Sequence, residues 1–427
     1  MERKYKDSGI EWIGKIPETW EVDIAKHVFK QRREKGNEVV CQLLAATQKY
    51  GMYPQNQLEG VVKVAVDTDL NQFKTVHKND YVISLRSFQG GFEISDYEGV
   101  CSPAYQVFYA TRPINSQYYK YLFKSDAFIQ EINSLTVGIR EGKNILYDDF
   151  VLLSIPIPSV LDQQRIADYL DKKCGEIDSL IALQEQMIEK LKVYKQSVIT
   201  EAVTKGLDPN AKLVPSGIDW IGEIPAGWKV TVLRRFAHII LGKMLQPSAK
   251  FKEDSLEQYI CAKDVHFEGI DTTDLKKMFF NQAEKELYQI QKGDMLVVEG
   301  GAGAAGSCVQ RNDLPDTYIQ NSIMIVRPKQ GIDIRYIQYY EFSLVKKGYV
   351  DYVCNKATIP HFTKDKLSSM PIPLPPLSEQ QAIATYLDSK CTDIDRLIAV
   401  KQQKIEKLKD YKKSVIYEAV TGKTIIE

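Results

Sequence analysis

The chain has 427 residues, of which 44% are hydrophobic and 26% charged; this excludes general disorder and exceeds what one ordinary core organises, so two or more domains are expected. Lys and Arg total 56 and Asp and Glu total 56, a formal net charge of zero that excludes a uniformly basic, histone-like binder but leaves room for a local basic surface. The 7 cysteines are scattered without a C-x-x-C or other compact ligand spacing, which fits reduced thiols rather than a disulfide scaffold or structural zinc.

The start, MERKYKDSGIEW, is charged with no apolar segment behind it, so no export signal is expected. No run of about 18 apolar residues predicts a membrane span. An entry phrase, GIEWIGKIPETWEV, occupies 9–22. Near 78–87, KNDYVISLRS passes from a polar turn into an alternating apolar run and predicts a strand followed by a glycine-containing loop. NSQYYKYLFKSDAFIQEI at 115–132 carries aromatic and aliphatic residues at helical intervals, and SIPIPSVLD at 154–162 is a proline-punctuated exit. A long polar and apolar segment, 163–204, follows. KGLDPNAKLVPSG then reads as a short linker rich in turn residues.

Beyond the linker the plan returns. GIDWIGEIPAGWKV at 217–230 repeats the entry phrase, QKGDMLVVEGG near 291–301 predicts a strand and glycine loop, and DIRYIQYYEFSLVKKGYV at 333–350 predicts a helix. The exit SMPIPLPPLSE at 369–379 is longer than the first by two residues. Residues 380–421 then match 163–204 at 29 of 42 positions, far beyond shared amphipathicity. The molecule is therefore written as two related halves whose central regions, 23–154 and 231–369, diverge.

The shared long segments carry a heptad seam. Leu170, Cys174, Ile177, Ile181, Gln184, Ile188, Leu191, Lys195, Val198 and Ala202 step by alternating fours and threes, and Leu387 to Ala419 repeat the pattern. A helix through the aligned block is about 63 Å long and needs a partner along most of it. Its repeat supplies one. Parallel helices bring two globules to the same end, where they compete for space, so an antiparallel pair with an approximate internal two-fold is expected. Tyr169, Leu180, Met187 and Tyr194, with Tyr386, Leu397 and Tyr411, broaden the apolar face beyond a two-stranded seam. Tyr169, Tyr194, Tyr386 and Tyr411 are therefore candidate subunit-interface residues.

The fold expected is mixed α/β (α+β): two divergent globules separated by two long helices packed as an antiparallel coiled coil. The expected boundaries are 1–155 for the first globule with its entry segment, 156–207 for the first helix and 208–227 for the linker and second entry. The second globule takes 228–373, and the second helix with its tail 374–427.

Catalytic motifs are sparse. GAGAAG at 301–306 formally matches G-x-G-x-x-G, but the polar SCVQRNDLPDTY follows it where a nucleotide site needs a helix. A tight strand-to-strand turn, or a flexible loop that permits close approach of another backbone, fits better. GKT at 422–424 lacks the earlier glycine of an ATP-binding loop, no Asn-Pro-Pro-aromatic element is present, and His27, His77, His238, His266 and His361 make no compact metal pattern. Neither catalytic residues nor a cofactor or metal bound by this chain are expected.

The doubled phrases WIGKIPETW and WIGEIPAGW, the exits leading into LDQQRIADYLD and LSEQQAIATYLD, and the endings SVITEAVTKG and SVIYEAVTGK resemble the DNA-specificity subunit of a type I restriction-modification enzyme. The resemblance covers nearly the whole chain. It implies a non-catalytic, cytoplasmic subunit with no membrane partner that binds duplex DNA through two target-recognition domains reading an asymmetric bipartite sequence. It also implies two methyltransferase modification subunits using S-adenosylmethionine, and motor-nuclease restriction subunits using ATP and magnesium. DNA-contact candidates are the polar and basic residues beside loops of the divergent regions. In the first half these are Arg86, Ser87, Gln89, Arg140, Lys143 and Asn144. In the second, Gln310, Arg311 and Asn312 follow the glycine loop, and Asn355, Lys356, Thr358, His361 and Lys364 lie in NKATIPHFTK. The competing non-enzyme class is a bivalent protein-binding scaffold, which sequence-selective retention on random duplexes would exclude.

Overall fold

The structure, a computed structural model, describes residues 3–36, 42–58, 72–84, 91–134, 145–301, 303–354 and 360–426. Contacts divide the chain into two compact units, Met1–Glu185 with Gln402–Glu427, and Gln186–Lys401. Both boundaries fall inside long helices, so neither unit is one continuous segment.

The first long helix is Val160–Lys205 and the second Leu377–Val420. Ser159 starts the first: its hydroxyl accepts from the Asp162 N–H at 3.1 Å, and Gly206 stops it with φ +78°, a left-handed conformation that glycine adopts without strain. In the first unit the beginning of the first helix packs with the end of the second, Ile166, Leu170 and Cys174 sharing a core with Val415, Ala419 and Val420. In the second unit Ile199, Ala202 and Val203 share a core with Ile383, Ala384, Leu387 and Cys391. Start meets end in both, so the pair runs antiparallel as expected. The polar seam lysines reach across: Lys412 Nζ donates to both Asp178 carboxylate oxygens at 2.7 Å, and Lys195 to those of Asp395 at 2.8 and 2.7 Å.

Each unit contains a four-stranded antiparallel sheet with the same connectivity. In the first the order is Phe29–Gln31, Gln106–Ala110, Tyr81–Ile83, Phe92–Ile94; in the second, Ala237–Leu241, Ile323–Pro328, Met295–Val298, Ser307–Val309. Thus both predicted strands exist and occupy the same place. The cores are filled differently. Phe29, Phe92, Phe108, Phe123, Phe128 and Phe150 interlock in the first, with Phe108 and Phe150 centroids 4.8 Å apart, whereas Met295, Val297, Met324 and Val326 contribute to the second.

Helix Ser116–Lys124 is followed by Asp126–Ser134, so the predicted 115–132 helix is broken at Ser125, whose hydroxyl donates to the Leu122 carbonyl at 2.7 Å. In the second unit Ile334–Lys346 ends before Gly348, which has φ +85°. The entry strand Glu21–Ile24 pairs with the exit strand Ser154–Ile157, and Lys229–Val232 with Pro371–Leu374, so each globule is closed by its two flanking phrases. The linker is more ordered than its turn-rich sequence suggests: Leu213–Pro215 pairs with Glu223–Pro225, as Tyr5–Asp7 does with Lys15–Pro17.

Candidate nucleic-acid interface

In each unit the helix that follows the last sheet strand ties its end of the globule to the long helices. The ties use equivalent residues. Gln163 Oε1 accepts from the Asn115 N–H at 2.7 Å and Gln380 Oε1 from the Asp333 N–H at 2.9 Å. The hydroxyl of Tyr118 donates to the Val420 carbonyl at 2.9 Å, and that of Tyr336 to the Val203 carbonyl at 3.1 Å. Tyr121 donates to Asp171 at 2.6 Å, and Tyr339 to Asp388 at 2.9 Å. The sequence reading missed these tyrosines, although the shared spacing Y-x-x-Y, Tyr118 and Tyr121 against Tyr336 and Tyr339, was there to be found.

Gln310, Arg311 and Asn312 belong to this tied end. They follow the glycine loop in sequence, but strand Ser307–Val309 intervenes and carries them to the opposite end of the sheet, where Gln310 exchanges backbone bonds with Gly293 and Asp294 at 2.8 Å. Arg311 grips Asp388 on the second long helix with two bonds of 2.7 and 3.2 Å, and Arg335 adds a third at 3.0 Å. Burial pushes the Asp388 carboxyl up, but the donors from Arg311 and Tyr339 outweigh it and hold the group below the usual carboxylate range. In this arrangement Arg311 fastens its globule to a helix. Gln310 Nε2 donates to the Asn312 carbonyl at 2.8 Å.

The loop end of the second sheet gathers four segments. The Gly242 N–H donates to the Ile323 carbonyl at 3.0 Å, Glu299 N–H to Ser322 at 2.8 Å, Phe362 N–H to Glu299 at 2.7 Å and Gly301 N–H to Pro360 at 3.2 Å. His361 therefore lies over the glycine loop. Its Nδ1 is 3.3 Å from Glu299 Oε2, and a side chain at Gly300 would bring a Cβ within 2.8 Å of that ring nitrogen. The loop itself is a hairpin connection between Met295–Val298 and Ser307–Val309, with Ala305 at φ +63° and no helix opening after it, so it lacks the helix N-terminus a nucleotide diphosphate requires. Lys364 begins the short helix Lys364–Ser368 and is exposed. Arg86, Ser87, Gln89, Arg140, Lys143, Asn144, Asn355, Lys356 and Thr358 lie outside the described residues.

The first unit presents a basic cleft of about 970 Å³ beside its edge strand, lined by Lys26, Lys30, Arg32, Arg33 and Tyr109, with Glu34 and Asp148 among its acids. Arg32 is committed inward: it bonds Asp80 at 2.6 and 3.0 Å and lies 4.5 Å from the Tyr109 ring centroid. Lys26, Lys30 and Arg33 are exposed. The run KQRREK was a legible signal for this surface that sequence reasoning passed over.

On the helices, Tyr169 packs against the first core, while Tyr194, Tyr386 and Tyr411 remain 48%, 41% and 53% exposed. Among the described residues no cluster of three or more His, Cys, Asp or Glu is arranged to hold a metal, and no helix is long and apolar enough to cross a membrane.

The profile described as "Type I restriction modification DNA specificity domain" matches residues 17–193 and again 225–410. The type I restriction enzyme MjaVIII specificity subunit of Methanocaldococcus jannaschii is 24% identical over 432 residues, covering 96% of this chain and 94% of that one. The EcoKI specificity subunit of Escherichia coli is 24% identical over 316 residues, 72% of this chain and 66% of that one. Among solved structures, a chain from work on complex assembly and conformational transition of the type I R-M system superposes with a TM-score of 0.71 at 19% identity, covering 96% of this chain and 99% of that one. The HsdS subunit of Thermoanaerobacter tengcongensis gives 0.56 at 17% identity, covering 96% and 98%. These likenesses carry the fold, and the twice-matched profile carries the family. With two related globules and paired long helices, and a profile matched twice over most of its length, the chain belongs to the type I restriction-modification DNA specificity family, whose role is DNA recognition without catalysis.

Proposed function

We propose that the chain reads an asymmetric bipartite duplex target, one half-site per globule, and positions two methyltransferase modification subunits and motor-nuclease restriction subunits around it. The reader domains are 1–155 and 228–373; 156–207 and 374–427 are the spacer helices, and 208–227 joins the halves. S-adenosylmethionine, ATP and magnesium belong to the partner subunits, and the assembly works in the cytoplasm. Arg86, Ser87, Gln89, Arg140, Lys143, Asn144, Asn355, Lys356, Thr358, His361 and Lys364 remain the candidate DNA contacts from the sequence. Gln310, Arg311 and Asn312 are weaker ones, because Arg311 is already engaged by Asp388.

One observation carries the reading: two sheets of identical strand order sit in globules fastened to the helices by equivalent bonds, yet the segments between their strands differ in sequence. Two unlike surfaces on one scaffold suit two unlike half-sites, each with its own donor and acceptor pattern in the major groove. Exchanging residues 1–155 for the corresponding globule of another specificity subunit, followed by binding-site selection, tests this. One half of the target should change while the other persists. Simultaneous change of both halves would reject independent readers.

A further inference from the structure

Met244 and Leu245 are 75% and 57% exposed, yet each neighbour in sequence is anchored: Lys243 and Gln246 are both only 7% exposed. Lys243 pairs with Glu284, donates to the Phe279 carbonyl at 2.9 Å and lies 5.1 Å from the Phe280 ring centroid. Before it, Gly242 passes so close to the Gln320 carbonyl that any Cβ there would collide with it. After the pair, Gln246 accepts from the Phe279 N–H at 3.0 Å and donates to Asp254 at 3.0 Å. Asp254 also accepts from the backbone N–H groups of Lys250 and Phe251 at 2.8 and 3.1 Å, donors that hold its carboxyl below the usual range. Two large apolar side chains are thus held in water between two fixed points. A flexible loop could fold such residues inward; this one is tied open.

The pair sits at the loop end of the second sheet. The Asn321 N–H donates to the Lys243 carbonyl at 2.8 Å, which places Met244 next to a half-buried run of amides and a hydroxyl, Gln320, Asn321 and Ser322, held in place by bonds among their own side chains. The run adjoins the glycine loop where the Glu299 N–H donates to the Ser322 carbonyl. Exposed Lys250 and Lys252 lie on the same connection. Apolar tips, amide and hydroxyl groups and flanking cations suit a base-pair edge better than a protein surface: thymine offers a methyl group, the other edges offer donors and acceptors, and phosphates flank both. In the first unit the chain leaving the edge strand is Arg33, Glu34 and Lys35, all exposed and charged.

We infer that Met244 and Leu245 form a pre-positioned apolar contact to the bases of the half-site read by the second globule, and are specificity-determining residues there. This rests on the DNA-reading role proposed above. Because the segment is already ordered, binding spends little further entropy to fix it. Because it is uncharged, its contribution should not depend on salt.

The test is site selection and salt-dependent affinity with the full chain assembled with its modification subunits, comparing the parent with M244S/L245S and the volume-conserving M244L/L245M. The serine variant should lose about five- to tenfold in affinity for the selected target, with base preference relaxed only in the second half-site and an unchanged salt slope. The conservative variant should retain affinity. Unchanged selection and affinity in a folded serine variant would overturn the inference, as would equal losses on specific and random DNA. Impaired assembly with intact base preference would assign the pair to a protein contact and overturn it too. A parent complex that selected no sequence would sink the recognition role itself.

Discussion

Glu341 tests the packing of the second globule directly. It lies on helix Ile334–Lys346, only 1% exposed; its Oε2 accepts from the Ser307 hydroxyl at 2.6 Å, and Oε1 has no partner among the described residues. Burial pushes this carboxyl from the usual 4.5 up to about 8, against a smaller lowering by the Ser307 bond. The folded protein therefore keeps the proton at neutral pH while the unfolded chain gives it up. Below about pH 4.5 both states are protonated and no penalty exists; as pH rises towards 8 the unfolded state binds fewer protons, so stability falls by at most about 1.4 kcal/mol per pH unit, and above 8 the decline stops.

Glu341→Gln removes the titration while keeping the shape and a group able to accept from Ser307. Its advantage over the parent should be near zero at pH 4.5 and grow to a ceiling of about 3 kcal/mol by pH 7, less whatever relaxation the site allows. A chain of two units need not melt in one step, so the informative assay is local: hydrogen exchange of Ile334–Lys346 and Ser307–Val309 in parent and variant between pH 5 and 8, corrected for intrinsic rates. Parallel stability profiles, or a variant destabilised equally at every pH, would show that Glu341 is ionised in the fold and refute the reasoning.

Gly422→Ala should destabilise the first unit by roughly 2–3 kcal/mol, because φ is +74° and the new Cβ would meet Pro17 Cδ at 2.5 Å and Trp20 Cη2 at 2.9 Å. The equivalent Gly206→Ala should cost less, since its nearest neighbour is the movable Glu379 carboxylate at 3.0 Å; chemical denaturation gives the ranking. Tyr194→Asp with Tyr411→Asp should weaken binding of modification subunits with little change in melting, which native mass measurement and calorimetry can separate. Reversing the exposed pair as Asp178→Lys with Lys412→Asp should recover most of the loss of either single variant, each no more than about 1 kcal/mol and smaller at high salt.

The helix pair was readable because a seam repeats its constraint every few residues: Leu170 to Ala202 are all buried or half-buried, as their spacing required. The matching sheets were not readable, because their strands are three to six residues long and a core can be filled by phenylalanines around Phe29 or by Met295 and Met324 without altering strand order. Arg311 illustrates why site residues were harder still. Nearness in sequence to a glycine loop says nothing about which end of a hairpin a residue reaches, and one three-residue strand separates Arg311 from that loop. Lys26 and Lys30 were missed for the complementary reason: they lie on an edge strand and its preceding turn rather than beside a glycine.

Divergence of the globules and constancy of their seats have a common physical cause. Of the bonds that fasten a globule to the helices, several use partners that do not depend on the reading surface. The Val420 and Val203 carbonyls are backbone groups, while Gln163 with Gln380 and Asp171 with Asp388 occur at repeated positions of the long segments. From its own side the globule supplies a backbone N–H at the start of one helix and two tyrosines a turn apart on that helix. The Tyr118 and Tyr336 bonds are buried, so losing either partner leaves an unsatisfied group costing about 1–3 kcal/mol, while the glutamine and aspartate bonds are part-buried or exposed and restrain less. The restraint falls on that short motif and not on the reading loops. Arg311 and Arg335 are additions beyond the shared set: two bonds from the first and one from the second join the Tyr339 bond on Asp388, whereas Tyr121 alone is bonded to Asp171 by a side chain among the described residues. A reader is therefore free to change its core filling and its loops, provided that it keeps the tyrosine pair and the helix start that seat it.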